Sequence, residues 1–112
     1  MDNLIDYRST IQKILTDYHV LNQKSNSSTE SSLVFDEIHD QYLLILMGWD
    51  RDERIKNTMI HVRLKDGKIW IEEDWTEEGI ATELLQKGIS KDAIVLAFHP
   101  PKVRPYTEFA TA

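Results

Sequence analysis

The chain contains no cysteine. That removes a disulfide framework, a thiol nucleophile and every thiolate metal site. It also means that a chain of 112 residues must stand on its hydrophobic core alone. Long apolar runs are missing too. The longest, Tyr42 to Trp49, falls far short of a membrane span. The first residues, MDNLIDYRST, carry acids where a secretion signal needs bases, and no apolar segment follows. A cytoplasmic location is expected on both counts. Asn26-Ser27-Ser28 fits the glycosylation triplet, which matters only in a secreted protein. The four glycines, at 48, 67, 79 and 88, are isolated, so no phosphate-cradling loop exists. There is no GxSxG and no HExxH, and no two histidines stand four apart.

What is present suits one soluble domain spanning 1–112: 41% hydrophobic and 29% charged residues, with a net charge of −6. The charge is uneven. Residues 1–49 and 70–92 carry net −4 and −5, residues 50–69 carry +2, and residues 93–112 carry +1. The basic excess therefore lies between two acidic segments.

Leu4, Tyr7, Ile11, Ile14, Tyr18 and Leu21 recur at steps of three and four, with Ile5 and Leu15 widening the stripe. This predicts an amphipathic helix, capped by Asp2 or Asn3. Residues 22–32 are polar and serine-rich and read as a surface loop. The period then becomes extended. Leu33 to Ile38 reads as a strand. Tyr42 to Trp49 reads as a central strand covered on both faces. Ile55 to Lys65 alternates, with Thr58, Ile60, Val62 and Leu64 on the core side. Asp66-Gly67 is the signature of a type I′ hairpin turn. That turn sets Leu64 against Ile69, Val62 against Ile71, Arg63 against Trp70 and His61 against Glu72. A second helix is expected from Asp74 or Thr76, with Ile80, Ala81, Leu84 and Leu85 inward and Gly88 as the glycine just past its end. Ala93 to Phe98 is a last buried strand, of undecided direction. Pro100, Pro101 and Pro105 predict an extended C-terminal arm over 99–112. Together these elements give an α+β domain: a mostly antiparallel sheet of about five strands with both helices on one face.

The chemistry-bearing clusters are weak. His61 and Glu72 could meet in space, but a cross-strand pair on a solvated face explains them better than a metal does. Glu72, Glu73, Asp74, Glu77 and Glu78 could hold Mg²⁺ in a nuclease-like site. Acids at the start of a helix, which its dipole favours, explain them more simply. No catalytic residue, metal or cofactor is expected. Two surfaces remain. Arg54, Lys56, Arg63, Lys65 and Trp70 could form a basic ribbon for nucleic acid, although the net acidity opposes it. His99, Arg104, Tyr106, Glu108 and Phe109 place aromatic and charged anchors on the arm. They suit either a protein interface or packing back onto the sheet. An exposed apolar edge or arm would also favour a homo-oligomer.

Residues across the C-terminal half fall into an ordered series: Asp66 to Ile71, Thr76 to Ala81, Leu84, Gly88, Ile89, Lys91 to Pro101, and Arg104 to Ala110. Tyr7-Arg8 and Gly48-Trp49 add looser agreement in the first half. The series resembles the XisI family, the fdxN element excision controlling factors of cyanobacteria. Ser90 stands where the family pattern suggests proline, and the loop at 22–32 is longer than usual. The resemblance implies a non-enzymatic factor in programmed DNA rearrangement during heterocyst development. It implies action with a XisH-like partner and a site-specific recombinase, and carries over no active-site residue. Direct DNA contact through the 54–70 hairpin is the alternative.

Overall fold

The computed structural model describes residues 3–25 and 28–112, with side chains from residue 6 onward. The cap expected at Asp2 or Asn3, the Leu4 and Ile5 side chains, and most of the Asn26-Ser27-Ser28 triplet lie outside the described residues. The order is helix α1 (Asn3–Lys24), strands β1 (Thr29–Asp36), β2 (Gln41–Asp50), β3 (Glu53–Lys65) and β4 (Lys68–Asp74), helix α2 (Ile80–Gln86), then strand β5 (Ile94–Leu96). The five strands form one sheet in chain order, β1-β2-β3-β4-β5. The first three pairings are antiparallel. The last, β4 with β5, is parallel, which settles the open direction. A parallel return needs a crossover, and α2 supplies it. The expected α+β fold, with both helices on one face, is what forms.

The core is one-sided. Ile11, Ile14 and Leu15 of α1 and Ile80 and Leu84 of α2 pack against Tyr42, Leu44, Ile60, Val62, Ile69, Ile71 and Ile94. Leu21, at the end of the predicted stripe, stays 63% exposed. The reason is longitudinal: α1 lies over the buried end of the sheet with its first half, where Arg8 meets Asp40. Its last turns pass the end where Leu46 and Ile55 are only half-buried.

Several elements depart from the sequence reading. The last strand, expected over Ala93 to Phe98, covers only Ile94–Leu96, and Phe98 stays 48% exposed. The strand expected from Leu33 starts at Thr29, because Thr29 to Ser32 pair with Gly48 to Ile45. Backbone hydrogen bonds from β2 override the weak strand preference of Thr-Glu-Ser-Ser. The β2 run is not covered on both faces. Only Tyr42 and Leu44 are buried, on the helix side, and Trp49 is 54% exposed. The second helix begins at Ile80, not at Asp74. Asp74 still caps it from a distance: its Oδ2 accepts from the Ile80 N–H at 2.7 Å, and its Oδ1 from the Thr76 N–H at 3.0 Å. Residues 75–79 are spent on that turn, closed by Gly79 at φ 89°. The far end follows the sequence reading. The Ile89 N–H donates to the Leu84 carbonyl and the Gly88 N–H to the Leu85 carbonyl, a Schellman closure with Gly88 at φ 90°.

The expected Asp66-Gly67 turn has φ 53° and 77°. It sets Leu64 against Ile69, Arg63 against Trp70 and Val62 against Ile71. The fourth expected pair fails. A bulge between His61 and Val62 places His61 opposite Glu73 and frees Glu72 to bond Arg63 at 2.9 Å. A second bulge, between Leu44 and Ile45, leaves Met59 as the extra residue of β3.

At Gly48 the start of β1 approaches β2 closely: a Cβ there would stand 2.5 Å from the Ser28 carbonyl oxygen and 2.9 Å from the Thr29 Cα. Both obstacles are backbone. Gly48→Ala should therefore cost about 2 kcal/mol through forced strand displacement, read as a lowered urea midpoint with unchanged slope.

Candidate macromolecular interface

Side chains alternate along a strand, so the buried set defines the opposite set. With Leu33, Tyr42, Leu44, Ile60, Val62, Ile69 and Ile71 inward, the outer face carries Val34, Leu43, Ile45, Met47 and Trp49. From β3 it carries Arg54, Lys56, Thr58, His61, Arg63 and Lys65, and from β4 Trp70. All five residues of the predicted basic ribbon (Arg54, Lys56, Arg63, Lys65 and Trp70) thus share one helix-free face, as the register requires. Most of their charge is engaged. Arg54 lies 5.3 Å from the centroid of the Trp49 ring. Arg63 bonds Glu72. Lys65 Nζ stands 4.7 Å over Trp70. The cation–π contact expected between Arg63 and Trp70 is replaced, because the bulge delivers a carboxylate to Arg63.

His61 Nε2 lies 2.8 Å from Gln41 Oε1, which accepts a hydrogen bond from the ring N–H. Burial lowers the His61 pKa from its ordinary 6.5; Glu72 and Glu73 pull it upward, and Arg63 pushes it down. The acidic cluster of the sequence reading is dispersed: Glu72 goes to Arg63, Glu73 accepts from the Trp75 indole, and Asp74 holds the turn. Among the described residues no group of three His, Asp or Glu side chains could hold a metal ion.

The C-terminal arm is not extended. The Val103 N–H donates to the Pro100 carbonyl, and residues 104–106 make a 3₁₀ turn with Pro105 inside it. Ala110 then returns beside β5, bridging Val95 and donating to the Ile94 carbonyl at 2.9 Å. The prolines do exclude a regular strand, but they equally favour tight turns.

Arg104 organises the fold-back. Its Nε donates to the His99 carbonyl at 3.0 Å, its Nη2 to Ala97 at 3.3 Å and its Nη1 to Thr111 at 3.4 Å. The guanidinium lies 5.5 Å from the centroid of the Trp70 ring. Trp70, only 8% exposed, is therefore met by two cations, Lys65 and Arg104. Phe109 packs against the core. His99 lies against Phe98, ring centroids 4.6 Å apart. Glu108 makes an exposed pair with Lys91 at 3.2 Å. Tyr106 alone among the five projects freely, 89% exposed. The sequence reading treated Arg104 as a surface anchor. Its neighbours are carbonyls, which no side-chain pattern reveals.

Fold and surface together define a class: a small two-layer α+β module with one helix-free sheet face and a folded-back C-terminal arm. The chain belongs to the XisI family, whose model, described as XisI protein, matches residues 1–111. It is similar to the crystal structure of a XisI-like protein from Anabaena variabilis ATCC 29413, with 33% identity, TM-score 0.90, and 97% of this chain and 99% of that chain covered. It is also similar to the fdxN element excision controlling factor XisI of the same organism, with 41% identity, TM-score 0.87, and 99% and 100% covered. No curated protein matches. No helix among the described residues is long and apolar enough to cross a membrane.

Two measurements follow. Arg104→Ala should cost about 1–3 kcal/mol, the range for losing hydrogen bonds to a charged group. The loss should appear as faster amide exchange confined to residues 97–111. The depressed His61 pKa carries a sign. Below pH 6.5 the unfolded chain takes up the proton before the folded one, so stability falls as pH drops through that value towards the lower folded pKa. His61→Gln should flatten that part of the curve in denaturation series between pH 7.5 and about 5.

Proposed function

We propose that this chain is an accessory controlling factor for excision of a DNA element, acting by binding a protein partner of the XisH-like kind and through it a site-specific recombinase, with no bond-making step of its own. Support comes first from the 41% identity, end to end, with a protein described as an fdxN element excision controlling factor. The observation that carries the partner reading is Tyr106. An aromatic ring 89% exposed, on a turn braced by Arg104, pre-pays its ordering cost and gains on being covered. Net charge of −6 favours a basic, DNA-handling protein as the partner.

A second reading keeps direct DNA contact. Its support is the convergence of Arg54, Lys56, Arg63, Lys65 and Trp70 on one face. Against it stand Glu72 and the two aromatic rings, which already occupy most of those cations.

One co-purification series separates them. With a XisH-like protein as bait, Tyr106→Ala should weaken capture about tenfold or more, the usual effect of removing an interface anchor. The free chain should give no gel shift with duplex DNA at low salt. Capture unchanged by Tyr106→Ala removes the arm from this account. A shift lost on Lys56→Ala moves the function to the hairpin.

A further inference from the structure

The folded arm covers only the β4–β5 end of the outer face, where it buries Val95 and shields Trp70. The β1–β3 part is left open. Down its middle runs an apolar stripe from one strand, Leu43, Ile45, Met47 and Trp49, with Val34 beside Leu43. Leu43, Ile45 and Met47 are half-buried by neighbouring strands alone; Val34 and Trp49 are 44% and 54% exposed. Such a stripe on a sheet face is the kind of surface that another layer normally covers.

The flanks tell which layer. Met47 has Glu30 of β1 on one side and Lys56 of β3 on the other. Ile45 has Ser32 on one side and Thr58 on the other. Both Glu30 and Lys56 are exposed, and neither has an ion-pair partner among the described residues. The row therefore reads acid, apolar, base across three strands. Rotation by half a turn about an axis along β2 brings β1 of one copy over β3 of the other. Glu30 then faces Lys56 of the second copy, twice, and Met47 meets Met47 on the axis. Val34 falls over His61, and Ser32 over Thr58, so no like charges oppose.

We propose that the β1–β3 outer face is a self-complementary interface on which a second copy of this chain stacks, sheet on sheet, about a twofold axis along β2. Aligned sheets pack about 10 Å apart with strands within about 30° of each other, so the apolar stripes interdigitate. The contact is isologous and closes at two copies. It leaves the arm and Tyr106 on the β4–β5 side accessible, so it stands independently of the partner reading. Nucleic acid fits this face less well, since Glu30 sits in the same row as Lys56 and repels phosphate.

Sedimentation equilibrium on the full chain at roughly 1–100 µM reads the outcome. The wild type should give two-chain particles. Glu30→Lys and Lys56→Glu should each raise the dissociation constant about tenfold or more, by setting like charges face to face. The double reversal Glu30→Lys/Lys56→Glu should restore the wild-type constant. Circular dichroism controls for folding, and both sites are exposed surface positions. A wild-type monomer throughout the range overturns the proposal. So does a dimer indifferent to both single changes, or single losses that the double change fails to rescue. A chain that stays monomeric but binds duplex DNA through Lys56 overturns it as well.

Discussion

Two helices cannot cover both sides of a five-stranded sheet. α1 and α2 lie on the same side, so the central inward residues of β2 to β5 reach a dry core, while the outward ones find their stability within the sheet or from the arm. The outward pairs follow from that constraint. Arg63 with Glu72, His61 with Gln41, and Lys65 and Arg104 on Trp70 are partners across neighbouring strands or from the arm. Each is modest on its own, since half-exposed ion pairs and cation–π contacts contribute about 1 kcal/mol or less. Together they specify register on a face with no hydrophobic layer to do so.

The layers are tied by polar contacts at their margins. Tyr42 is fully buried, so its hydroxyl needs partners: it donates to Asp40 Oδ1 at 2.8 Å and accepts from Arg8 Nε at 2.9 Å. Burial, then the bond to Asp40, pushes the Tyr42 pKa up to about 12, with Arg8 working in the other direction. Arg8 also meets Asp40 directly at 2.8 Å, which pins the first turns of α1 to the β1–β2 turn. At the other side Tyr18 of α1 donates to Glu83 of α2. Burial and that carboxylate raise the Tyr18 pKa to about 12, so the bond persists across the physiological range.

Local signals carried most of the architecture. The 3.6-residue stripe through Ile11, Ile14 and Tyr18 marks α1, the alternation through Ile60, Val62 and Leu64 marks β3, and Asp-Gly marks the turn between β3 and β4. What escaped was non-local. Thr29 to Ser32 are strand only because β2 lies alongside. The bulge that sends Glu72 to Arg63 is a shift in the β3–β4 register, set by pairing between strands and not by either strand's own pattern. The arm folds back through carbonyls of Ala97, His99 and Thr111, which every residue possesses. The open stripe on β2 was hidden inside a continuous apolar run. Only the count of covering helices shows that half of it faces outward. The family series, by contrast, was legible across the C-terminal half and more loosely before it, and the matched model spans residues 1–111.

Strand order equal to chain order has a kinetic meaning. Each of the first three pairings closes a short hairpin, so most of the sheet assembles from near neighbours with little loop entropy to overcome. β5 is different: three residues, added in parallel only after the α2 crossover. It is itself secured by Ala110, from the last residues of the arm. That edge therefore closes on segments synthesised after the β1–β4 meander, which can pair first on the nascent chain.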